Sequence, residues 1–273
     1  PIVSNDYSLD SRNQGFWDAE RKRYAVYFRH LRNDSGESGI KAPGWKRDIL
    51  VTFSKDFVNW TEPQWLIYHR DDGRPGTELE HLYTNEVKPY KRAPHIYLGF
   101  PAQFNGSVDP MLMASRDGLH FYRWMEHPVI PKSAPADRQK IRSNHLWQEM
   151  VELPEEPDKL SMYASENLGI KGPHEDGSFP RVRRFTIRKD GFVSVRAGAE
   201  LGELVTKPLI FTGNKLTVNY NAQLGKAGEI RIEVLDGKKQ PISSFALKDC
   251  NPLSDDDIDA VVTWKGGDDL SNL

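Results

Sequence analysis

Two short elements recur in the same order three times along the first two thirds of the chain, and this repeat restricts the fold more than any other feature. The first element is a strand, a charged or proline-containing turn, and an aromatic strand. It reads Gln14-Gly-Phe-Trp-Asp18 into Tyr24-Ala-Val-Tyr-Phe28, Glu86-Val-Lys-Pro-Tyr90 into His95-Ile-Tyr-Leu-Gly-Phe100, and Glu149-Met-Val-Glu-Leu153 into Leu160-Ser-Met-Tyr-Ala164. The second is a strand ending in Ser or Thr, an Asp turn and an aromatic: Ser54-Lys-Asp-Phe-Val-Asn-Trp60, Ser115-Arg-Asp-Gly-Leu-His-Phe121 and Thr186-Ile-Arg-Lys-Asp-Gly-Phe192. Their aspartates, Asp56, Asp117 and Asp190, stand 61 and 73 residues apart. Short apolar runs bounded by Gly, Pro, Asp or Asn read as strands, and amphipathic helical patterns are nearly absent, so the expected class is all-β. Units of this length with about four short strands each match β-propeller blades better than a sandwich.

The pattern changes near Ala197. Leu216-Thr-Val-Asn-Tyr220 and Glu229-Ile-Arg-Ile-Glu-Val-Leu235 alternate cleanly, Asp236-Gly237 supplies a turn, and Phe245-Ala-Leu247 and Ala260-Val-Val-Thr-Trp264 follow. These read as strands of a β-sandwich with one wet face. The expected organisation is therefore about three propeller blades over residues 1–197 and an incomplete β-sandwich over residues 198–273. Three blades cannot close a ring, so the reading expects one or two further blades before Pro1, as in a five-bladed propeller, and a closing sandwich strand after Leu273. Pro1 is followed by neither a charged n-region nor an apolar h-region.

Composition narrows the partners. With 37 Lys and Arg against 39 Asp and Glu, the formal charge is −2, which disfavours a dedicated nucleic-acid binder that must neutralise phosphates. No run of 18 apolar residues is present to cross a membrane as a helix. The single cysteine, Cys250, allows neither an internal disulfide nor a Cys-rich zinc module. Asp255 to Asp257 with Asp259 lack the turn glycine of a calcium loop and read as a solvated segment. No cofactor and no metal site is expected. Seven Trp, ten Tyr and twelve Phe supply strand formers and flat faces on which a sugar ring can stack.

In a propeller the innermost strands line a central channel. Placing the three turn-preceding strands in register aligns Asn13, Asn85 and Gln148, and in the next column Gln14, Glu86 and Glu149. Carboxylates there can accept from hydroxyls or move protons, and amides can both donate and accept, as a polyol pocket needs. Just upstream lie Asp10-Ser-Arg12-Asn13, Glu80-His81-Leu-Tyr83-Thr-Asn85 and Asn144-His145-Leu-Trp147, polar where strands are ordinarily apolar. Arg12, Asn13, His81, Tyr83, Asn85, His145 and Trp147 are thus candidate carbohydrate-binding residues. Competing readings are a strand residue paired with Lys88 or Arg92 for Glu86, a solvated acidic face for Glu149, a turn aspartate for Asp10, and core packing for Trp147 and Tyr83. The Asp56, Asp117 and Asp190 turns read as structural, because a short acid there bonds its own backbone. His174 to Ser178 reads as a rim loop.

The segment Asp10-Ser-Arg-Asn-Gln-Gly-Phe-Trp-Asp18, its following strand and the Ser54-to-Trp60 turn resemble a blade of the five-bladed β-propeller glycosidases of glycoside hydrolase families 32, 43 and 68. Several of these enzymes carry a β-sandwich after the propeller. The resemblance implies a glycoside hydrolase with paired-carboxylate chemistry at the channel mouth. It makes Glu86 the candidate general acid, Asp10 the candidate transition-state aspartate, with Glu78 and Glu80 as rivals to Glu86, and Glu149 an assisting or binding carboxylate. It also implies that the nucleophile or base comes from a blade before Pro1. The family's Arg-Asp-Pro is replaced here by Asp-Ser-Arg, and its Glu-Cys by Glu86-Val87. The alternative from another class is a carbohydrate-binding or interaction propeller without catalysis. A third, a phosphorylase, needs a phosphate-holding cluster, for which Arg12, His81 and His145 are scattered in sequence.

Overall fold

The computed structural model describes residues 9, 12–33, 44–70, 81–104, 108–124, 127–130, 144–147, 149–166, 181–223 and 228–273. It is built from strands, with one short 3₁₀ turn at Leu247–Asp249 among the described residues. Two compact units are distinguished, residues 1–151 with 161–185 and residues 152–160 with 186–273.

In the first unit, β1 (Gln14–Asp18), β2 (Arg23–Arg32), β3 (Lys46–Ser54) and β4 (Gln64–Trp65) form a four-stranded antiparallel meander. The chain then enters the next sheet at its far edge. There β5 (Ile67–Arg70) lies parallel to β11 (His120–Trp124), and the order continues through β10 (Leu112–Ser115) and β7 (Ala93–Gly99) to β6 (Lys88–Tyr90). Between them, β8 (Ala102–Phe104) and β9 (Val108–Pro110) make a two-stranded ladder. A third sheet has the order β12 (Asn144–Leu146), β14 (Glu156–Glu166), β13 (Val151–Leu153), with β15 (Arg181–Arg188) also paired to β14. Each of these three larger sheets holds one copy of the strand-turn-strand repeat, and the first is a four-stranded meander, the unit from which propeller blades are made.

The first two sheets share one core. Tyr27, Ile49 and Val51 of the first pack with Tyr97, Met113 and Phe121 of the second, all fully buried. Alternation explains the selection, since every second residue of β2 and β3 faces this core. Two polar ties accompany it. Asp18, fully buried at the end of β1, pairs with Arg21 and accepts a hydrogen bond from Tyr97 Oη of β7. Burial, and then that bond, pushes the Tyr97 hydroxyl up to about 12. Asp48 of β3 accepts from Tyr68 Oη of β5 (2.6 Å) and pairs with Arg32.

The recurring Asp turn is structural in its first two copies. Ser54 Oγ accepts from the backbone N–H of Asp56 and Phe57, and Asp56 Oδ1 from those of Val58 and Asn59. Ser115 and Asp117 repeat this bond for bond with Asp117, Gly118, Leu119 and His120. The bonds hold the Asp56 carboxyl well below its ordinary range, and the Asp117 carboxyl at about 2 against an opposing burial effect. The third copy closes differently, with Gly191 N–H donating to Arg188 O (2.9 Å) and Asp190 in the left-handed region.

The fourth position of the turn is left-handed in both full copies, Phe57 at φ 65° and Gly118 at φ 86°. Phe57 is tolerated because its ring points outward onto Tyr24 and Trp60. Gly118 is tucked under the first sheet, its carbonyl accepting from Tyr27 Oη (2.6 Å), and a Cβ there would lie 2.7 Å from that oxygen. Gly118→Ala is therefore expected to cost on the order of 2–4 kcal/mol, from φ strain and overpacking together. Denaturant unfolding measures it, and a loss under about 0.5 kcal/mol would contradict the packing described.

In the second unit, β16 (Thr217–Asn221) pairs with β17 (Asp256–Val261), with a register shift between Val218 and Tyr220. Cys250, Val262, Trp264 and Leu270 form the core, flanked by Ile232, Val234, Phe245 and Leu253. The continuous strand expected over Glu229–Leu235 is reduced to single bridges, Ile230 with Leu253 and Leu235 with Pro241. Its alternation is still used, because Ile232 and Val234 turn into the core while Val234 bonds to the 242–245 loop instead of a strand. Asp256 is held by Arg188 (2.6 Å) and Asn221 (2.7 Å).

Candidate functional site

The edge strands β1 and β6 of the first two sheets, with the residues leading into them, present equivalent residues to each other. Ser54 pairs with Tyr24 and Tyr24 with Trp17, as Ser115 pairs with Tyr97 and Tyr97 with Pro89. Trp17 and Pro89 therefore correspond, and three residues before them stand Gln14 and Glu86. These two meet, with Gln14 Nε2 donating to Glu86 Oε2 (3.1 Å). The other oxygen, Glu86 Oε1, accepts from Arg12 Nη1 (2.8 Å), which also donates to the carbonyl of Leu146 in β12 (2.7 Å). Segments from the first two repeats thus meet at one carboxylate, and Arg12 links it to β12 of the third sheet.

Glu86 is 3% exposed, so the exposed-strand reading and its pairing with Lys88 or Arg92 give way to an inward carboxylate paired with Arg12. Burial raises its pKa above the ordinary value, opposed by the Arg12 charge and hydrogen bond and by the Lys88 charge. Both partners of the ion pair sit at positive φ, Arg12 at 64° and Glu86 at 45°. Non-glycine residues held there are sparsely populated and cluster at functional sites.

His145, on β12, is buried beside this pair. Its Nδ1 has no hydrogen-bond partner among the described residues, and its ring meets that of Tyr83 edge-on, with centroids 5.9 Å apart. Burial and then the Arg12 charge lower its pKa to about 4, so the imidazole is neutral at pH 7. The folded value lies below the unfolded one of about 6.5, and the unfolded chain takes up the proton first. The stability this contributes is complete above pH 6.5 and is lost as pH falls toward 4. A His145→Gln variant is expected to lose that part of the slope, on the order of 2 kcal/mol, in thermal unfolding followed from pH 7 to 4.5. Superimposable pH profiles for the two proteins would contradict it.

Tyr83 lies between the guanidinium groups of Arg29 (4.9 Å) and Arg47 (4.7 Å). His81 Nδ1 accepts from the Arg47 backbone N–H (3.2 Å), and burial followed by Arg47, Lys46 and Arg29 lowers its pKa. Asn13 and Asn85 hold backbone. Asn13 Oδ1 accepts from Arg29 N–H (3.4 Å), while Asn85 donates to the Arg12 carbonyl (3.3 Å) and accepts from Val87 N–H (3.3 Å).

Glu149 stands apart from the carboxylate centre. Its half-exposed side chain pairs with Lys88 and Lys91 (3.3 Å), and the Lys88 bond is the main influence holding its pKa below the ordinary range. It shares a pocket of about 440 Å³ with Trp147, Val151 and Tyr163. Trp147 is 46% exposed, so it is not a core residue, and its indole N–H donates to Ser165 Oγ (2.9 Å). Asp10, Glu78, Glu80, Gln148 and the His174–Ser178 loop lie outside the described residues. Tyr163 and Ser165 were not singled out from sequence. Their spacing of two on the strand facing the Trp147 segment is the signal that places them on one side.

No protein-family model and no curated protein matches the chain. Among solved structures, an N-acetylgalactosamine deacetylase from F. plautii, in complex with blood group B trisaccharide, is similar at TM-score 0.43 and 15% identity, over 68% of this chain and 52% of that one. BT0996, solved as an RGII complex, gives TM-score 0.42 and 11% identity over 71% of this chain and 52% of that one. A third comes from work on the GH130 family of mannoside phosphorylases, containing glycoside hydrolases that target β-1,2 mannosidic linkages in Candida mannan. It gives TM-score 0.35 and 14% identity over 66% of this chain and 59% of that one. The chain spans about half the length of the first of these structures.

Proposed function

We propose that the chain carries part of the active centre of a glycoside hydrolase, built like the five-bladed propeller enzymes of families 32, 43 and 68, with blades over residues 1–197 and a sandwich over 198–273. The observation that carries the reading is the convergence of Gln14 and Arg12 on the buried Glu86 carboxylate, with Arg12 itself held by the Leu146 carbonyl. In this role Glu86, with a raised pKa, donates a proton to the leaving glycosidic oxygen, and Arg12 stabilises the carboxylate that results. Asp10, two residues before Arg12, stabilises the oxocarbenium-like transition state. His145 Nδ1 and Tyr83 bond sugar hydroxyls, and Asn13, Asn85 and His81 hold the lining in place.

One observation favours a second reading, a carbohydrate-binding propeller without turnover: both Glu86 oxygens are already engaged, by Arg12 and Gln14. Incubation with aryl glycosides and polysaccharides, scored for released sugar and separately for binding, tests the two. Release is the expected result, and binding without release from any glycan would overturn hydrolysis in favour of the second reading.

A further inference from the structure

Trp147 is a large aromatic left half-exposed yet fixed in orientation. Its indole N–H is anchored on Ser165, and its backbone N–H donates to the Tyr163 carbonyl (2.7 Å). The wall it forms with Tyr163 and Val151 is apolar, and the cavity, about 440 Å³, is within the range of small-ligand sites. Glu149 lines the same pocket and is the one carboxylate in its wall, its side chain held by Lys88 and Lys91. A fixed aromatic face in an apolar wall with one carboxylate residue beside it suits the apolar C–H face of a pyranose ring.

The pocket is tied to the carboxylate centre on two sides. Trp147 directly follows Leu146, whose carbonyl holds Arg12, and Glu149 is held by Lys88, two residues beyond Glu86. We propose that this pocket is a second sugar subsite, which holds the unit next to the one processed at Glu86, so that the ligand is an oligosaccharide of at least two units stacked on Trp147. The inference rests on the glycan reading of the Glu86 site.

The test uses Trp147→Ala and Trp147→Phe in the full chain, each checked for an unchanged melting temperature. Probes are monosaccharide glycosides with a small leaving group (glycosyl fluorides), which leave the neighbouring pocket empty, and manno-, xylo-, gluco- and galacto-oligosaccharides of two to five units. Cleavage is followed where it occurs, and binding by calorimetry with Glu86→Gln where it does not. Trp147→Ala is expected to lower kcat/KM or affinity for oligosaccharides about tenfold or more, with monosaccharide glycosides changed less than about twofold and Trp147→Phe recovering part of the loss. Equal effects on short and long ligands, or none on either, would overturn the subsite while leaving the Glu86 reading intact. No glycan bound or cleaved by the wild-type protein would overturn both.

Discussion

Glu86→Gln is expected to reduce turnover by at least about a hundredfold while leaving glycan binding measurable. A positioned proton donor is worth about 10²–10⁴ in rate, and an amide cannot supply that proton. The replacement is nearly isosteric and keeps an oxygen for Gln14 or Arg12 to bond, so the lining holds its shape. What changes is charge. Arg12 loses its counterion, but its side chain is 23% exposed and solvent offsets part of the loss. A modest fall in stability with a large fall in kcat separates a chemical role from a structural one. Turnover within about twofold of wild type removes Glu86 from the mechanism.

Asp18→Asn is expected to produce the largest stability loss, on the order of 3–5 kcal/mol, the range for breaking a buried ion pair from one side. The carboxylate is completely buried, and Oδ1 accepts from the Arg21 backbone N–H (3.2 Å). Oδ2 lies 3.2 Å from Arg21 Nη1, 3.9 Å from Arg23 Nε, and accepts from Tyr97 Oη. The same arginines reach the second sheet, Arg21 Nη2 donating to His95 O (2.8 Å) and Arg23 Nη2 to Asp117 O (2.5 Å). Loss of the charge releases both arginines and unfastens the two sheets. Tyr97→Phe, which removes one bond and leaves the ion pairs, is expected to cost only about 1–2 kcal/mol. Denaturant unfolding measures both, and an Asp18→Asn loss below about 1 kcal/mol would contradict this account of how the sheets are joined.

Much of the first unit was legible because its repeat is chemical as well as periodic. Ser54-x-Asp56 and Ser115-x-Asp117 build the same five-bond turn, and the alternation in β2 and β7 matches the core that Tyr27 and Tyr97 enter. The column holding Gln14 and Glu86 was visible in the same way. That the two touch was not, since contact between strands 72 residues apart depends on how sheets pack. The Glu86–Arg12 pairing could not be read either. Sequence offered Lys88 and Arg92 as near neighbours, whereas the structure uses a left-handed residue from another repeat. Glu149 shared the column of Glu86, but two lysines draw it to the surface. In the second unit, alternation over Glu229–Leu235 predicted a strand, but only its side-chain pattern is kept: Ile232 and Val234, both partly buried, pack against the core. Burial follows side-chain pattern, whereas a ladder also needs a partner strand.

The most direct measurement is the pH dependence of kcat/KM in wild type and Arg12→Gln on one cleaved glycan. A general acid must be protonated, so activity falls as pH rises through the Glu86 pKa, which burial raises and Arg12 opposes. Removing the guanidinium should move the alkaline limb to higher pH, with the acidic limb left in place. An alkaline limb that stays fixed, or moves down, would contradict the claim that the Arg12–Glu86 pair is the proton-donating centre.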